Sequence, residues 1–392
     1  MKEVVIVSGA RTPVGSFQGA LASLTAPQLG SIAIKEAVKR AGIKPDQVEE
    51  VIMGCVLTSA VGQSPARQAL LGAGLPKEVG ALTIGKVCGS GLKSVMLADQ
   101  IIRAGEEEII VAGGMESMSN APYALPEARN GFRMGHGKIV DTMIQDGLWD
   151  PYNNLHMGSC AEMCAKEYKI TREMQDEFAT ESYRRAQKAV KEGRFKDEIV
   201  KVPVPQKKGD PLIVDTDEEP GRGNIEKLKT LRSAFEKEGT VTAGNASSLN
   251  DGGAAVVLMS MEKAQALGLR PLARIVAHAQ ASREPEWFTI APATAMEKAL
   301  KKANLKAQDI DLWEVNEAFS VVAIANNQKI GIPADKVNVN GGAVAIGHPI
   351  GASGARILVT LLYEMQKRNA RRGLASLCIG GGEAVAMIVE RV

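Results

Sequence analysis

Near the start of the chain an apolar run, Val4 to Val7, leads through Gly and Pro to a helical pattern ending Ala37-Val38-Lys39-Arg40-Ala41-Gly42-Ile43-Lys44-Pro45. Apolar residues return at Val48 and at Val51-Ile52-Met53. A short apolar run bounded by turn residues predicts a strand, and apolar positions three and four apart predict a helix. The same phrase recurs 262 positions later, Ala299 standing against Ala37: Ala299-Leu300-Lys301-Lys302-Ala303-Asn304-Leu305-Lys306-Ala307, then Ile310 and Trp313-Glu314-Val315, after a β-like stretch at Leu272 to Val276. Each copy reads strand, helix, strand.

A second pair of segments supports the duplication. Ser90-Gly91 opens a helical stretch ending near Arg103, then a strand from Ile109 to Ala112 that stops at Gly113-Gly114-Met115-Glu116-Ser117. Its counterpart is Ser353-Gly354, a helix to about Lys367, and a strand Leu374 to Cys378 stopping at Gly380-Gly381-Gly382-Glu383-Ala384. Alternating strands and helices predict an α/β fold with parallel layers and right-handed crossovers, packed as two similar halves. Between the halves, from about Ser119 to Leu249, the pattern changes to Met, Pro and charge, with a helix predicted over Thr171 to Glu192 and a turn at Lys207-Lys208-Gly209-Asp210. That segment has no partner in the repeat and reads as an insertion; long insertions of this kind usually carry function.

Composition narrows the possibilities. With 392 residues, 45% hydrophobic, the chain can bury more than one core. Its 47 basic and 45 acidic side chains leave a net charge of +2, so no global field argues for nucleic acid or a membrane surface, and an anionic ligand must be held locally. Met1-Lys2-Glu3 and four apolar residues before Ser8-Gly9 do not form a secretory leader, and no later run reaches a membrane span, so a cytoplasmic location is expected. Five cysteines, Cys55, Cys88, Cys160, Cys164 and Cys378, fit a reducing compartment better than a disulfide framework.

Three glycine-framed segments carry candidate chemistry: Val87-Cys88-Gly89-Ser90-Gly91, Gly347-His348-Pro349-Ile350-Gly351 and Cys378-Ile379-Gly380-Gly381-Gly382. Cys88 falls at a strand-to-helix elbow, where backbone N–H groups and a helix terminus favour the nucleophilic thiolate; a buried cysteine packing as a small hydrophobe is the plain alternative. His348 sits in a loop stiff enough to aim an imidazole as donor or base, or is simply a turn histidine bonded to a carbonyl. Cys378 ends an apolar strand, at the edge where α/β ligand sites lie, or else caps a core strand. Asn316-Glu317-Ala318-Phe319 also follows a strand; Asn316 reads equally as a helix N-cap or as an amide that positions a water.

Other motifs point nowhere. Gly80-Ala81-Leu82-Thr83-Ile84-Gly85-Lys86 imitates a phosphate loop, but Val87 stands where Ser or Thr would hold magnesium. Cys160 and Cys164 lack a second ligand pair for zinc, and Asn245-Ala246-Ser247 matters as a sequon only in a secreted chain.

Taken in order, Cys88-Gly89-Ser90-Gly91, Asn316-Glu317-Ala318-Phe319, Gly347-His348-Pro349 and Cys378-Ile379-Gly380-Gly381-Gly382 resemble the thiolase family, as do Gly113-Gly114-Met115-Glu116-Ser117 and Thr242-Ala243-Gly244-Asn245-Ala246-Ser247. The resemblance spans essentially the whole chain and is nearest to bacterial-type members that join two acetyl-CoA molecules. It implies a five-layered α-β-α-β-α body from two βαβαβαβ halves, with residues 1–118 and 250–270 in the first, 271–392 in the second, and 119–249 as a loop domain over the coenzyme A site. It further implies a homotetramer of tight dimers, no tightly bound cofactor and no metal, with acyl-CoA and CoA as substrates.

By the family pattern Cys88 accepts the acyl group, His348 activates it, Cys378 is the acid/base, Asn316 holds an oxyanion-hole water, and the Gly380 N–H completes a second hole with that of Cys88. Coenzyme A contacts carry over to His156, Met157, Ala243, Ser247, Ala318, Phe319 and Leu148, with Arg222 a candidate in a segment hard to register, where Lys227 takes the place of a serine. Met157 and Phe288 would line the acyl pocket; Trp287-Phe288-Thr289 replaces the Met-Gly pair of short-chain bacterial forms. The reaction implied is reversible Claisen condensation to acetoacetyl-CoA, the alternative a 3-ketoacyl-CoA thiolase of broader chain length. A decarboxylating ketosynthase would lack Cys378, and a non-catalytic homologue would lack one of these groups.

Overall fold

The computed structural model describes residues 2–392. The first half contributes strands β1 (Val4–Arg11), β2 (Glu50–Gly54), β3 (Gly80–Ile84), β4 (Ile109–Ser117) and β5 (Asn250–Ser260), with helices α1 (Ala26–Ala41), α2 (Pro65–Gly72) and α3 (Ser90–Ala104). The insertion between β4 and β5 holds α4 (Met157–Glu167) and α5 (Arg172–Lys191). The second half contributes β6 (Ala273–Ser282), β7 (Leu312–Val315), β8 (Arg372–Ile379) and β9 (Glu383–Glu390), with α6 (Ala291–Ala303), α7 (Ser320–Ile330) and α8 (Ile350–Arg368).

The strands lie in the order β3-β2-β4-β5-β1 in one half and β7-β8-β9-β6 in the other, joined by the short antiparallel contact of Val5 with Arg274 and Ile6 with Ala273. A parallel bridge from Trp313 to Val337 stands where β3 stands in the first half, so the strand order itself is duplicated. The layers are not wholly parallel as the sequence pattern predicts. β2 runs parallel to β3 and β4, and β7 to β8, but β5 and β9 return antiparallel to both of their neighbours. The three residues between β8 and β9 allow only a hairpin, since a parallel connection needs a crossover.

Side-chain alternation builds the layers. Val4 and Ile6 of β1 enter a core shared with α3 and α8, while Val5 and Val7 enter another under α1 and α2; Val256 and Leu258 against Val257 and Met259 of β5 repeat the division. On the far side of the second sheet Met296 and Leu300 of α6 pack on Trp313, Val315 and Ile388, with α7 beside α6. The result is α1/α2, sheet, α3/α8, sheet, α6/α7: the five layers expected. Each buried Val, Leu or Ile contributes about 1.5–3 kcal/mol over its exposed state.

The two middle helices approach through glycine. A Cβ on Gly91 would lie 2.7 Å from the Ala355 nitrogen, and one on Gly354 2.3 Å from that of Leu92. Small residues at both positions bring the N-termini of α3 and α8 together, and with them the Cys88 elbow and the His348 loop. The insertion is pinned to β1 by Arg11, fully buried, whose guanidinium donates to Glu198 at 2.6 Å and to Asp217 at 2.7 and 2.9 Å. Thr171 caps α5 by accepting the Met174 N–H, close to where the sequence pattern starts that helix. Among the described residues no helix is long and apolar enough to cross a membrane.

Candidate functional site

The Cys88 elbow is strained and held. Val87, a β-branched residue, has φ +42°, a conformation costing of order 1–3 kcal/mol that surrounding bonds must maintain. The Ser90 hydroxyl does so, accepting the Lys86 N–H at 2.8 Å and donating to the Val87 carbonyl at 2.7 Å. The Cys88 sulfur faces the N–H groups of Gly380 and of Cys88 itself. Burial pushes the thiol up to about 12, those two N–H groups oppose the shift, and the charge of Glu116 adds to it. Cys88 therefore rests as a thiol, and it would need an acceptor for its proton to react as a nucleophile.

His348 lines the same cavity as Cys88. Its N–H donates to Asn250 Oδ1 at 2.8 Å, and its Nδ1 lies 2.6 Å from Ser353 Oγ. The Ser353 hydroxyl donates to the Pro349 carbonyl at 2.9 Å, so toward the imidazole it can only accept. Nδ1 carries the proton, and the lone pair is on Nε2, which is buried and has no protein partner. Burial, followed by the charge of Arg356, lowers His348 to about 3 and keeps the ring neutral.

Two groups lie deeper. Asn316 donates its N–H to the Ser376 carbonyl at 2.9 Å, its amide nitrogen is 3.5 Å from His348 Nδ1, and its Oδ1 is buried without a partner. The following helix starts only at Ser320, which removes the N-cap reading of Asn316. Cys378, one residue from the end of β8, is buried, and its thiol is raised well above the ordinary range by burial and then by the proximity of Cys88. The two thiols, the imidazole and the amide thus form one cluster.

Above that cluster opens an apolar cavity of about 410 Å³, lined by Cys88, His348 and Gly380 together with Leu148, His156, Met157, Ala243, Ser247, Phe288, Ala318 and Phe319. All of these were expected from the sequence. Ser247 is tied to the second half by N–H and hydroxyl bonds to the Ala318 carbonyl at 3.0 and 2.9 Å. Leu148 ends a π-helical turn, Ile144–Leu148, a geometry common at functional sites. A wider cleft of about 590 Å³, lined mostly by charged residues and bordered by α5 and the C-terminal end of α8, contains none of these groups.

Arg222 does not join the site. It is exposed beside Gln187 and Glu226 in a shallow open depression, because the short helix Glu218–Arg222 packs on α5 rather than over the cavity. Phe235 was missed: its ring stacks on His156 with centroids 4.8 Å apart and meets Phe319 edge-on at 6.2 Å. One aromatic in the polar stretch Arg232 to Lys237 was the available signal. Met118, Met143 and Ile350, one apolar cluster that also lines the cavity, carry no such signal in the sequence.

Comparison with known proteins agrees with this geometry. Residues 4–262 match the N-terminal domain of thiolase and residues 269–391 its C-terminal domain. The acetyl-CoA acetyltransferase of Cupriavidus necator is 59% identical over 392 residues, covering all of both chains, and that of Pseudomonas aeruginosa 55% over the same span. Acetyl-CoA acetyltransferase 2 of Arabidopsis thaliana is 54% identical across 99% of this chain and 97% of its own. Sequence, fold and site geometry converge: the chain belongs to the thiolase family.

Proposed function

We propose that the protein is an acetyl-CoA C-acetyltransferase that works through an acyl group on Cys88. The observation that carries the reading is the Cys88 sulfur facing two N–H donors in a cavity also lined by His348, whose Nε2 has no protein partner. In the thiolytic direction the Cys88 proton passes to Nε2 and the sulfur attacks the 3-keto carbonyl of acetoacetyl-CoA. The C2–C3 bond breaks, leaving acetyl on Cys88 and the enolate of acetyl-CoA. Cys378 gives its proton to the enolate carbon, then takes one from incoming CoA-SH. The CoA thiolate attacks the acetyl-enzyme, a second acetyl-CoA leaves, and Cys88 recovers its proton from His348. Condensation is the reverse.

Each negative oxygen has donors to meet it. The N–H groups of Cys88 and Gly380 serve the tetrahedral intermediates, while Nε2–H of His348 and a water on Asn316 serve the enolate; one such donor is typically worth about 100- to 1,000-fold in rate. Neither substrate is a resident cofactor: CoA enters and leaves over His156, Met157, Ala243, Ser247, Ala318, Phe319 and Leu148. Phe288, 3% exposed, packs with Met157 and Cys378 in one apolar cluster at the cavity, and its bulk there supports the four-carbon substrate. Five free cysteines support a reducing, cytoplasmic setting, and the homotetramer is what the family resemblance implies. The test is loss of the acetoacetyl-CoA enolate absorbance with free CoA, beside an eight-carbon 3-ketoacyl-CoA. Faster cleavage of the four-carbon substrate is expected; preference for the longer one means a broad-chain thiolase, and cleavage of neither removes the mechanism.

A further inference from the structure

Glu116 sits near the end of β4, fully buried, and no step above uses it. Donors alone surround its carboxylate. Oε2 accepts the N–H groups of Gly351 at 2.8 Å and Val56 at 3.1 Å; Oε1 accepts that of Leu57 at 3.1 Å and faces the Cys55 thiol at 3.7 Å. Three stretches of chain meet there: the segment leaving β2, the end of β4, and the first turn of α8 from the other half of the molecule. The contact is tight, since a Cβ on Gly351 would stand 2.6 Å from Oε2 and 2.9 Å from the Met115 carbonyl. A protonated carboxyl would need an acceptor that the site does not offer, so the bonding pattern calls for the ionised form. Burial works against that, pushing Glu116 up to about 7 against the pull of the three N–H groups, so the carboxylate prevails above neutral pH.

The first turn of α8 is what aims the imidazole. Two residues beyond Gly351, Ser353 fixes His348 Nδ1, and Ile350, which opens α8, lines the cavity. On the other side, the Glu116 charge reaches Cys88. We propose that Glu116 is a positioning residue for acyl transfer: by gathering the amides of Val56, Leu57 and Gly351 onto one carboxylate, it sets where the His348 loop stands relative to the Cys88 sulfur. This rests on the assignment of Cys88 and His348 made above, and Glu116 itself touches no substrate.

Glu116→Gln keeps size but must turn an NH₂ toward one of the two donor pairs, forcing the segment after β2 or the first turn of α8 away. A displacement near 1 Å between reacting groups costs about 100-fold. Glu116→Asp keeps the charge but is one methylene short of its partners. Three readouts separate the outcomes: the rate at which acetyl-CoA acetylates Cys88, followed by mass of the Cys88 peptide; KM for acetoacetyl-CoA; and the pH midpoint for alkylation of Cys88 by iodoacetamide.

In both variants acetylation is expected to slow about 100-fold with KM unchanged. The alkylation midpoint should fall in Glu116→Gln, because a negative charge has left the neighbourhood of the sulfur, and stay in place in Glu116→Asp. General loosening of the fold would raise KM and would not slow acetylation while easing alkylation. Acetylation at the wild-type rate in either folded variant, or KM rising in step with the loss of rate, overturns the proposal; should Glu116→Gln fail to fold, Glu116→Asp alone decides it. Wild-type Cys88 taking up no acetyl group is a different result, and it overturns the function reading instead.

Discussion

The two halves share a strand order, yet they finish equivalent strands differently. β4 continues past Ala112, paired with β5 through Gly113-Gly114 as far as Ser117 opposite Asp251. β8 stops at Ile379 and turns at once into β9, with Gly381 and Gly382 at φ +87° and +83°, values glycine adopts without strain. The continued strand ends in a buried carboxylate that binds other backbone; the interrupted strand leaves the Gly380 N–H free to face Cys88 and sets Cys378 beneath it. Duplication supplied a scaffold whose two middle helices start side by side. The candidate groups are divided by the asymmetry: Cys88 belongs to one half, and His348, Asn316, Cys378 and the Gly380 N–H that faces the Cys88 sulfur belong to the other.

Breaking that division on each side should give unlike failures. Cys88→Ala should abolish acetyl-enzyme formation and lower thiolysis by about 10⁴-fold or more, since removing a nucleophile that acts as part of a unit costs nearly the whole chemical advantage. Cys378→Ala should still be acetylated, but fail to exchange the α-protons of acetyl-CoA with solvent, with turnover down about 100- to 10,000-fold. Mass of the Cys88 peptide and proton exchange by NMR report the two events separately. Normal exchange in Cys378→Ala means that its role is misassigned.

The asymmetry also marks how far the chain could be read. The repeated strand-helix-strand phrase and the glycine-framed elbows were legible because period and turn chemistry are local. The strand at Ile109 was read as stopping at Ala112, since Gly113-Gly114 looks like a terminator; in the fold those glycines instead admit close neighbours, the Ala254 carbonyl and that of Gly351. The antiparallel return of β5 was not legible, because it pairs with β4 across more than a hundred intervening residues whose own pattern says nothing of the sheet. Glu116 lies in Gly113-Gly114-Met115-Glu116-Ser117 with no role legible from the sequence, for its partners Val56, Leu57 and Gly351 are backbone groups that any residue offers.

A smaller effect tests the second half alone. Asn316 follows β7 with its Oδ1 unpartnered at the floor of the site. Asn316→Ala should lower condensation by about 100- to 1,000-fold through the enolate step while leaving acetylation of Cys88 largely intact. Equal losses in both steps would place the amide with the acylation machinery, and the division between halves would then be less clean than the geometry suggests.

The smallest effect lies in stability, and it sets the two halves against each other. His348 falls to about 3 through burial and then the Arg356 charge, against 6.5 for an ordinary histidine. Below pH 6.5 the unfolded chain binds a proton that the native chain refuses, so this site's stability is present above that pH and is lost as pH falls, by about 1.4 kcal/mol per pH unit until native His348 itself titrates. Cys88 is shifted the other way, from 9.0 up to about 12, by burial first. Its stability is present below pH 9 and is lost as pH rises through the alkaline range, because the unfolded thiol ionises before the native one. Urea midpoints across pH should therefore show the gap between wild type and His348→Asn narrowing only on the acid side, and that between wild type and Cys88→Ala only on the alkaline side. Parallel curves for His348→Asn would mean that the native imidazole binds its proton as readily as the unfolded one, so that burial is not what keeps it neutral; a gap that instead widens as pH falls would mean a raised imidazole and a resting ion pair, and the second half would then have activated the first before any substrate arrives.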